Sequence, residues 1–142
     1  MRWYHYTSLE IFDKILTDEA LLSNYERIRK SVLDNPDILK RLERGLDSTR
    51  LEDPKEYRRN NNIFLTQYNN HGVGRCPEIA LGFELNQKAN SRDFLILPIV
   101  SLDSLVNIGT TQIHIPTVRE ILNTAHNGKY RRIPIYENNS CY

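Results

Sequence analysis

Apolar and polar positions alternate from Arg2 to Thr7, with Trp3, His5 and Thr7 on one side and Tyr4 and Tyr6 on the other. Period two with aromatic side chains predicts a β-strand. Thr7-Ser8-Leu9-Glu10 follows at once and reads as a capping box, with Thr7 as N-cap and Glu10 three residues on. Leu9, Phe12, Ile15 and Leu16 then recur at helical spacing as far as Thr17-Asp18, so a tight strand-to-helix corner is expected at residue 7. Ala20-Leu21-Leu22 reads as a short strand or a turn.

Between Asn24 and Leu46 the apolar positions are Tyr25, Ile28, Val32, Leu39, Leu42 and Leu46, spaced by threes and fours with Asn35 filling the one gap. The pattern is helical, and Asn35-Pro36 divides it into two helices or one kinked helix, because proline lacks an N–H and disfavours α backbone before itself. The polar run from Asp47 to Asn62 reads as a return loop, with Asn60 to Asn62 as a turn.

The second half reads as sheet. Ile63 to Tyr68 sets Phe64, Thr66 and Tyr68 against Ile63, Leu65 and Gln67, and after His71-Gly72-Val73-Gly74 the run Glu78 to Leu85 points Ile79, Leu81, Phe83 and Leu85 one way. Phe94 to Val100 is continuously apolar, as in a strand covered on both faces. Thr110 to Ile115 reads as a strand with Ile113 and Ile115 inward and Gln112 and His114 opposite. A short helix over Val118 to Leu122 and a final strand over Arg131 to Glu137 complete the chain, and Pro134 assigns that last strand to an edge. The sum is one α+β domain over residues 1–142: N-terminal helices, a helical insertion at about 24–59, and a mainly antiparallel sheet.

Composition narrows the function classes without choosing one. With 142 residues, 39% hydrophobic and 26% charged, the chain is globular in composition, so disordered and fibrous classes drop out. Nineteen basic and eighteen acidic side chains leave a net charge of +1, so any polyanionic partner must be met by a local patch. The two cysteines, Cys76 and Cys141, are too few for a disulfide framework and point to a reducing, cytoplasmic setting. No apolar run is long enough to span a membrane, and MRWYHYTSLE lacks the apolar core of a secretory leader. The phosphate-binding glycine loops, zinc-protease and nucleophile-elbow motifs are absent, and His5, His71, His114 and His126 have no metal-ligand spacing.

Two stretches carry candidate chemistry. Tyr4-His5-Tyr6-Thr7-Ser8 puts one imidazole among aromatic faces at a strand end, where a planar cofactor could stack while His5 and Thr7 bond its hydroxyls; the alternative is plain cross-strand aromatic packing. Arg27, Arg29, Lys30, Lys40, Arg41 and Arg44 lie in the helical insertion. With eight acidic residues in the same stretch, they form either a strip contacting nucleic-acid phosphates or a solvated helical face.

The opening Tyr4-His5-Tyr6-Thr7-Ser8, with a helix carrying Ile15-Leu16 and then Leu21-Leu22-Ser23, resembles the start of the ADP-ribosyltransferase superfamily. The similar branch is the one with a strand-borne histidine: the poly-ADP-ribosyl and diphtheria-toxin-type enzymes, the RNA 2′-phosphotransferases and the DarT DNA-modifying toxins. Ile63-Phe64-Leu65-Thr66 resembles that fold's second core strand. Tyr68-Asn69-Asn70-His71-Gly72 through Ile79-Ala80-Leu81-Gly82-Phe83 is similar to an uncharacterised bacterial domain related to these enzymes. Gln112-Ile113-His114-Ile115-Pro116 and the following helix resemble the late strand and turn of the DarT type. About two-thirds of the chain is covered, through the order of the pieces and not through one specific motif.

The resemblance implies a split sheet holding NAD⁺ in its cleft. His5 would bond the adenosine-side ribose, with Thr7 beside it; Tyr68 or Tyr6 would stack on nicotinamide, and Thr66 would line the floor. Where the family carries a glutamate that stabilises the oxocarbenium-like transition state, this sequence offers Gln112 and His114, with Glu84 or Glu137 as substitutes if the strand order differs. The implied activity is transfer of ADP-ribose to a macromolecule, nucleic acid ahead of protein, in a toxin or phage–host conflict setting. Two rivals stand beside it: a binding module of the same fold that has lost catalysis, and a nucleic-acid-binding protein with no cofactor.

Overall fold

The computed structural model describes residues 1–52, 55, 60–67 and 78–138. Its architecture is α+β. Strand β1 (Arg2–Thr7) leads into helix α1 (Leu9–Asp18), followed by β2 (Ala20–Leu22), α2 (Asn24–Ser31) and α3 (Pro36–Glu52). The strands β3 (Ile63–Thr66), β4 (Ile79–Glu84), β5 (Phe94–Leu97), β6 (Ile99–Ser101) and β7 (Leu105–Thr110) come next, then helix α4 (Ile115–Thr124) and strand β8 (Ile135–Glu137). Six strands form one sheet in the order β5-β3-β1-β4-β7-β8, and β2 pairs with β6 in a second, two-stranded sheet. Every pairing is antiparallel except β7 with β8. No described helix is long and apolar enough to cross a membrane.

The two faces of the large sheet differ. Residues directly opposite across a ladder share a face, so Trp3↔Phe83, His5↔Leu81 and Leu81↔Ile108 line up on one side. That side packs into the core with Phe12, Ile15 and Leu16 of α1, Val118 and Leu122 of α4, and Leu21 and Val100 of the small sheet. The other side carries Tyr4, Tyr6, Thr66, Ala80, Gly82, Asn107, Gly109 and Tyr136. The glycines permit close approach there. A Cβ at Gly109 would lie 2.5 Å from the Tyr136 ring, and one at Gly82 would collide with the Asn107 carboxamide.

The structure corrects several local expectations. The N-cap of α1 is Ser8, not Thr7: Ser8 is extended, and its Oγ accepts from the Ile11 N–H at 3.2 Å. Thr7 is held in the ladder opposite Ile79, which moves the corner one residue on. The Asn35-Pro36 break does give two helices, and the Asn35 side chain accepts from Ile38 N–H at 3.3 Å. The second runs on through Gly45 to Glu52, where a loop was expected, and Asn60 and Asn61 carry helical backbone instead of a turn. The amphipathic spacing buries little here, since α2 has no buried residue and Ile28 and Ile38 are exposed.

The apolar run 94–100 is two strands and not one. Pro98, with no N–H to give a ladder, separates β5, which pairs with β3, from β6, which pairs with β2. It is not covered on both faces, as Leu95 and Val100 are buried while Phe94 and Ile99 are exposed. The late strand is Leu105–Thr110 in place of Thr110 to Ile115. Residues 112–114 form a turn, Ile113 is 82% exposed instead of inward, and α4 begins at Ile115 with proline in its first turn. The last strand is only Ile135–Glu137, at the sheet edge as Pro134 implied.

The revised cap is directly testable. Ser8→Ala is expected to lower stability by about 1 kcal/mol in urea denaturation. The same loss is expected when the change is made on a Thr7→Ala background; no loss at Ser8 would contradict the cap.

Candidate functional site

The seam between β1 and β3 is where the sequence-derived site residues meet the structure. On one edge β1 is paired with β4 along its whole length, Arg2↔Glu84 through Thr7↔Ile79. On the other edge its described pairing with β3 is the single pair Tyr4↔Thr66, and toward Thr7 no further pair follows among the described residues. There the His5 side chain spans the gap. Its Nδ1 lies 3.4 Å from the Phe64 carbonyl oxygen. A carbonyl only accepts, so Nδ1 carries the proton in this contact, and Nε2 presents a lone pair. Removal from water is the main influence on this imidazole and depresses its pKa; the contact to Phe64 opposes that shift. His5 is therefore a neutral imidazole at neutral pH, equipped to accept a hydrogen bond from a hydroxyl.

Thr7 shares the core-facing side with His5, whereas Tyr6 and Thr66 lie on the opposite face of the sheet. The four are neighbours along one seam and do not form one wall. All four are half-buried. The Tyr6 hydroxyl is pushed up to about 12, first by burial and then by the neighbouring Tyr136 and Tyr4, so it remains a neutral donor. Asn107 Oδ1 on this face is buried without a hydrogen-bond partner among the described residues. Tyr68 lies outside the described residues, as do His71 to Gly74 and both cysteines.

Gln112 and His114 do not sit on a strand facing a cleft. Gln112 is exposed in the turn after β7, and His114 is the N-cap residue of α4, with no side-chain capping bond. They do share the sheet end that carries Thr7. Thr7 pairs with Ile79 and Ile79 with Thr110, which puts Thr7 and Thr110 about 10 Å apart at two strand spacings. His114 Nε2 lies 3.7 Å from the Glu78 carboxylate, and Thr110 Oγ1 donates to the Glu78 carbonyl at 2.7 Å.

Glu78 was not singled out from sequence, where it reads only as the polar residue before an apolar strand. Its proximity to His114, across the β4–β7 ladder, could have been inferred only with the correct strand boundaries. Glu137 pairs with Thr110 at this same end of the sheet. Glu84 is at the far end. It is held by the Met1 amino group at 2.7 Å and Arg2 Nε at 3.1 Å, contacts that keep its carboxyl below the usual range, so it is not a site carboxylate. Among the described residues no group of three His, Cys, Asp or Glu could hold a metal ion. Of the basic side chains in the insertion, Arg29, Lys30, Lys40, Arg41 and Arg44 are exposed, and Arg27 is half-buried.

A scan against protein-family models finds no match to this chain, and a search of curated proteins finds none either.

The depressed His5 value has a definite pH signature. The unfolded chain takes up a proton near the ordinary histidine value of about 6.5, above the folded value. Stability is therefore fully present above about pH 6.5 and falls as pH drops from there toward the folded value. Glu19 and Glu84, whose values are lowered by hydrogen bonds to Lys129 and Tyr130 and to Met1 and Arg2, lose their contribution only further down, in the carboxylate range. Thermal melts between neutral pH and about pH 5.5 should therefore fall more steeply for the wild type than for His5→Gln. Parallel slopes would place the titration elsewhere.

Proposed function

We propose that the protein is an ADP-ribosyltransferase-like protein that binds NAD⁺ along the β1–β3 seam and transfers ADP-ribose to a macromolecule, with nucleic acid favoured over protein. The observation that carries this reading is the neutral His5 imidazole bridging the seam, its Nδ1 toward the Phe64 carbonyl, which leaves Nε2 with the lone pair that a ribose hydroxyl would donate to. Thr7 at the strand end shares the face of His5, and the Tyr6 ring on the opposite face of the seam offers a stacking surface.

In the transfer step the bond from the ribose C1′ to the nicotinamide nitrogen breaks, and nicotinamide leaves with the bonding pair. The acceptor nucleophile then bonds to C1′ and gives up its proton to a base. Positive charge develops on the ribose, and a carboxylate in place beforehand stabilises it. Gln112 lacks that charge. Glu78, beside His114 at the same sheet end, supplies the carboxylate in this reading, and His114 is the nearby base.

A second reading has an observation of its own. Gln112 is uncharged and solvent-exposed, and Glu78 is itself 45% exposed, which favours a module that holds the nucleotide without cleaving it.

The two separate in one experiment. Wild-type protein, His5→Ala and Glu78→Gln are incubated with NAD⁺ labelled on its adenylate and with nucleic acid or cell extract, and melting is followed in parallel. NAD⁺ at a hundred times its dissociation constant should stabilise the wild type by roughly 2.7 kcal/mol, and His5→Ala should lose most of that. Label transfer that Glu78→Gln abolishes without abolishing NAD⁺ binding identifies the enzyme. Stabilisation without transfer identifies the binding module, and neither effect in the wild type refutes both.

A further inference from the structure

The cleft between the C-terminal halves of α1 and α2 has no part in the reading above. Its volume is about 500 Å³, and it is lined by Lys14, Thr17, Asp18, Arg27, Lys30 and Ser31. That volume falls in the range of small-ligand sites. Lys30 Nζ is bound to the Asp18 carboxylate at 2.7 Å, so the one anion among the described lining residues is already neutralised. The hydroxyls of Thr17 and Ser31 donate back to the Asp13 and Ile28 carbonyls and are not available as donors. Lys14 and Arg27 remain. Two helix C-termini contribute about half a negative charge each, which two cations exceed.

Arg27 is the unusual member. Its Nε is buried with no hydrogen-bond partner among the described residues. A guanidinium N–H withdrawn from water and left unpaired is costly and marks a side chain held in place by its surroundings; the oxyanion would be met by the terminal Nη donors, whose planar fork suits two of its oxygens. The exposed Lys14 ammonium on the α1 wall adds a point charge to the same space.

We infer that this cleft is a phosphate-binding site, with Arg27 as the fork that contacts the oxyanion and Lys14 as its second cation. The chemistry is shared by a nucleic-acid backbone and by a free phosphorylated small molecule. The site is separate from the NAD⁺ seam: α1 alone spans about 15 Å from Ser8 to Asp18. The inference does not depend on the transferase reading.

Inorganic pyrophosphate and a fluorescent oligothymidylate are the probes, titrated into wild type, Arg27→Gln, Lys14→Gln, His5→Ala and Arg44→Gln. Pyrophosphate is expected to bind the wild type and to raise its melting midpoint. Arg27→Gln and Lys14→Gln should each weaken it about tenfold or more, the effect of one lost charged hydrogen bond. His5→Ala and the exposed Arg44→Gln should bind as the wild type does. Arg27→Gln should also melt no lower than the wild type without ligand, because it removes an unpaired buried donor.

Competition between oligothymidylate and pyrophosphate would assign the phosphate to a nucleic-acid backbone; pyrophosphate binding without competition would assign it to a small molecule. The inference is overturned if the wild type binds neither probe, or if Arg27→Gln and Lys14→Gln both bind with wild-type affinity. The Lys14 variant changes only an exposed side chain, so loss of folding at Arg27 would leave the test intact.

Discussion

The unequal pairing of β1 is the constraint on which the rest of the molecule depends. Along β4 the strand forms a full ladder, and its Trp3 is completely buried against the apolar side chains of β4 and β7. Burial of a large aromatic and its neighbours is worth several kcal/mol by area, enough to fix register, because a one-residue slip would turn Trp3 outward. Along β3 the described pairing is a single pair. The strand is thus anchored along its whole β4 edge, while on its β3 edge no described pair follows Tyr4, and His5 is the next residue. The core positions the imidazole, and the missing ladder leaves it a partner to find in Phe64.

That same division explains what could be read from the sequence. Strands β1 and β4 are legible because their alternation comes directly from one buried face, and α1 because Phe12, Ile15 and Leu16 recur at helical spacing against it. Strand β7 is not legible. It contains Asn107 and Gly109, residue types that read as turn, and Gly109 is there because the Tyr136 ring occupies the space a side chain would need. The period-two pattern falls instead on 110–115, where Gln112 and His114 alternate with isoleucines by coincidence. Pro116 was the available signal, since a proline in a first helical turn marks Ile115 as a helix start. Pro98 likewise marked the change of sheet inside an unbroken apolar run. In the insertion the apolar spacing matches the helices, yet α2 has no buried residue, so periodicity there reports helix formation and not core.

The boundary error mattered most at the site. Moving the strand by five residues takes Gln112 and His114 from a cleft wall to a turn, and brings His114 within 3.7 Å of Glu78. Residue type alone singles out His114, but its neighbour Glu78 becomes visible only with the strand at 105–110. Glu84, the other nearby carboxylate in sequence, is excluded by position and by its ties to Met1 and Arg2. Net charge could not have helped, because a chain at +1 hides its electrostatics in local arrangement.

Helix α1 connects the two regions of interest physically. Its N-terminus starts at Ser8, one residue beyond the seam strand, and its last turn lines the cleft that holds Arg27. Between them Phe12, Ile15 and Leu16 are buried in the core, so the helix is a rigid spacer and not a hinge. His5 at one end has a depressed pKa, and Arg27 beyond the other has a buried Nε–H unpaired among the described residues. Both are arrangements that a packed core tolerates and that a free side chain would not adopt. A stability deficit at a fixed position is what a bound ligand can relieve, and it is relieved only if the donor or acceptor stays in place before the ligand arrives. The buried stripe of α1 meets that requirement for both ends at once, which makes the core packing of three apolar side chains the common condition for the two proposed sites.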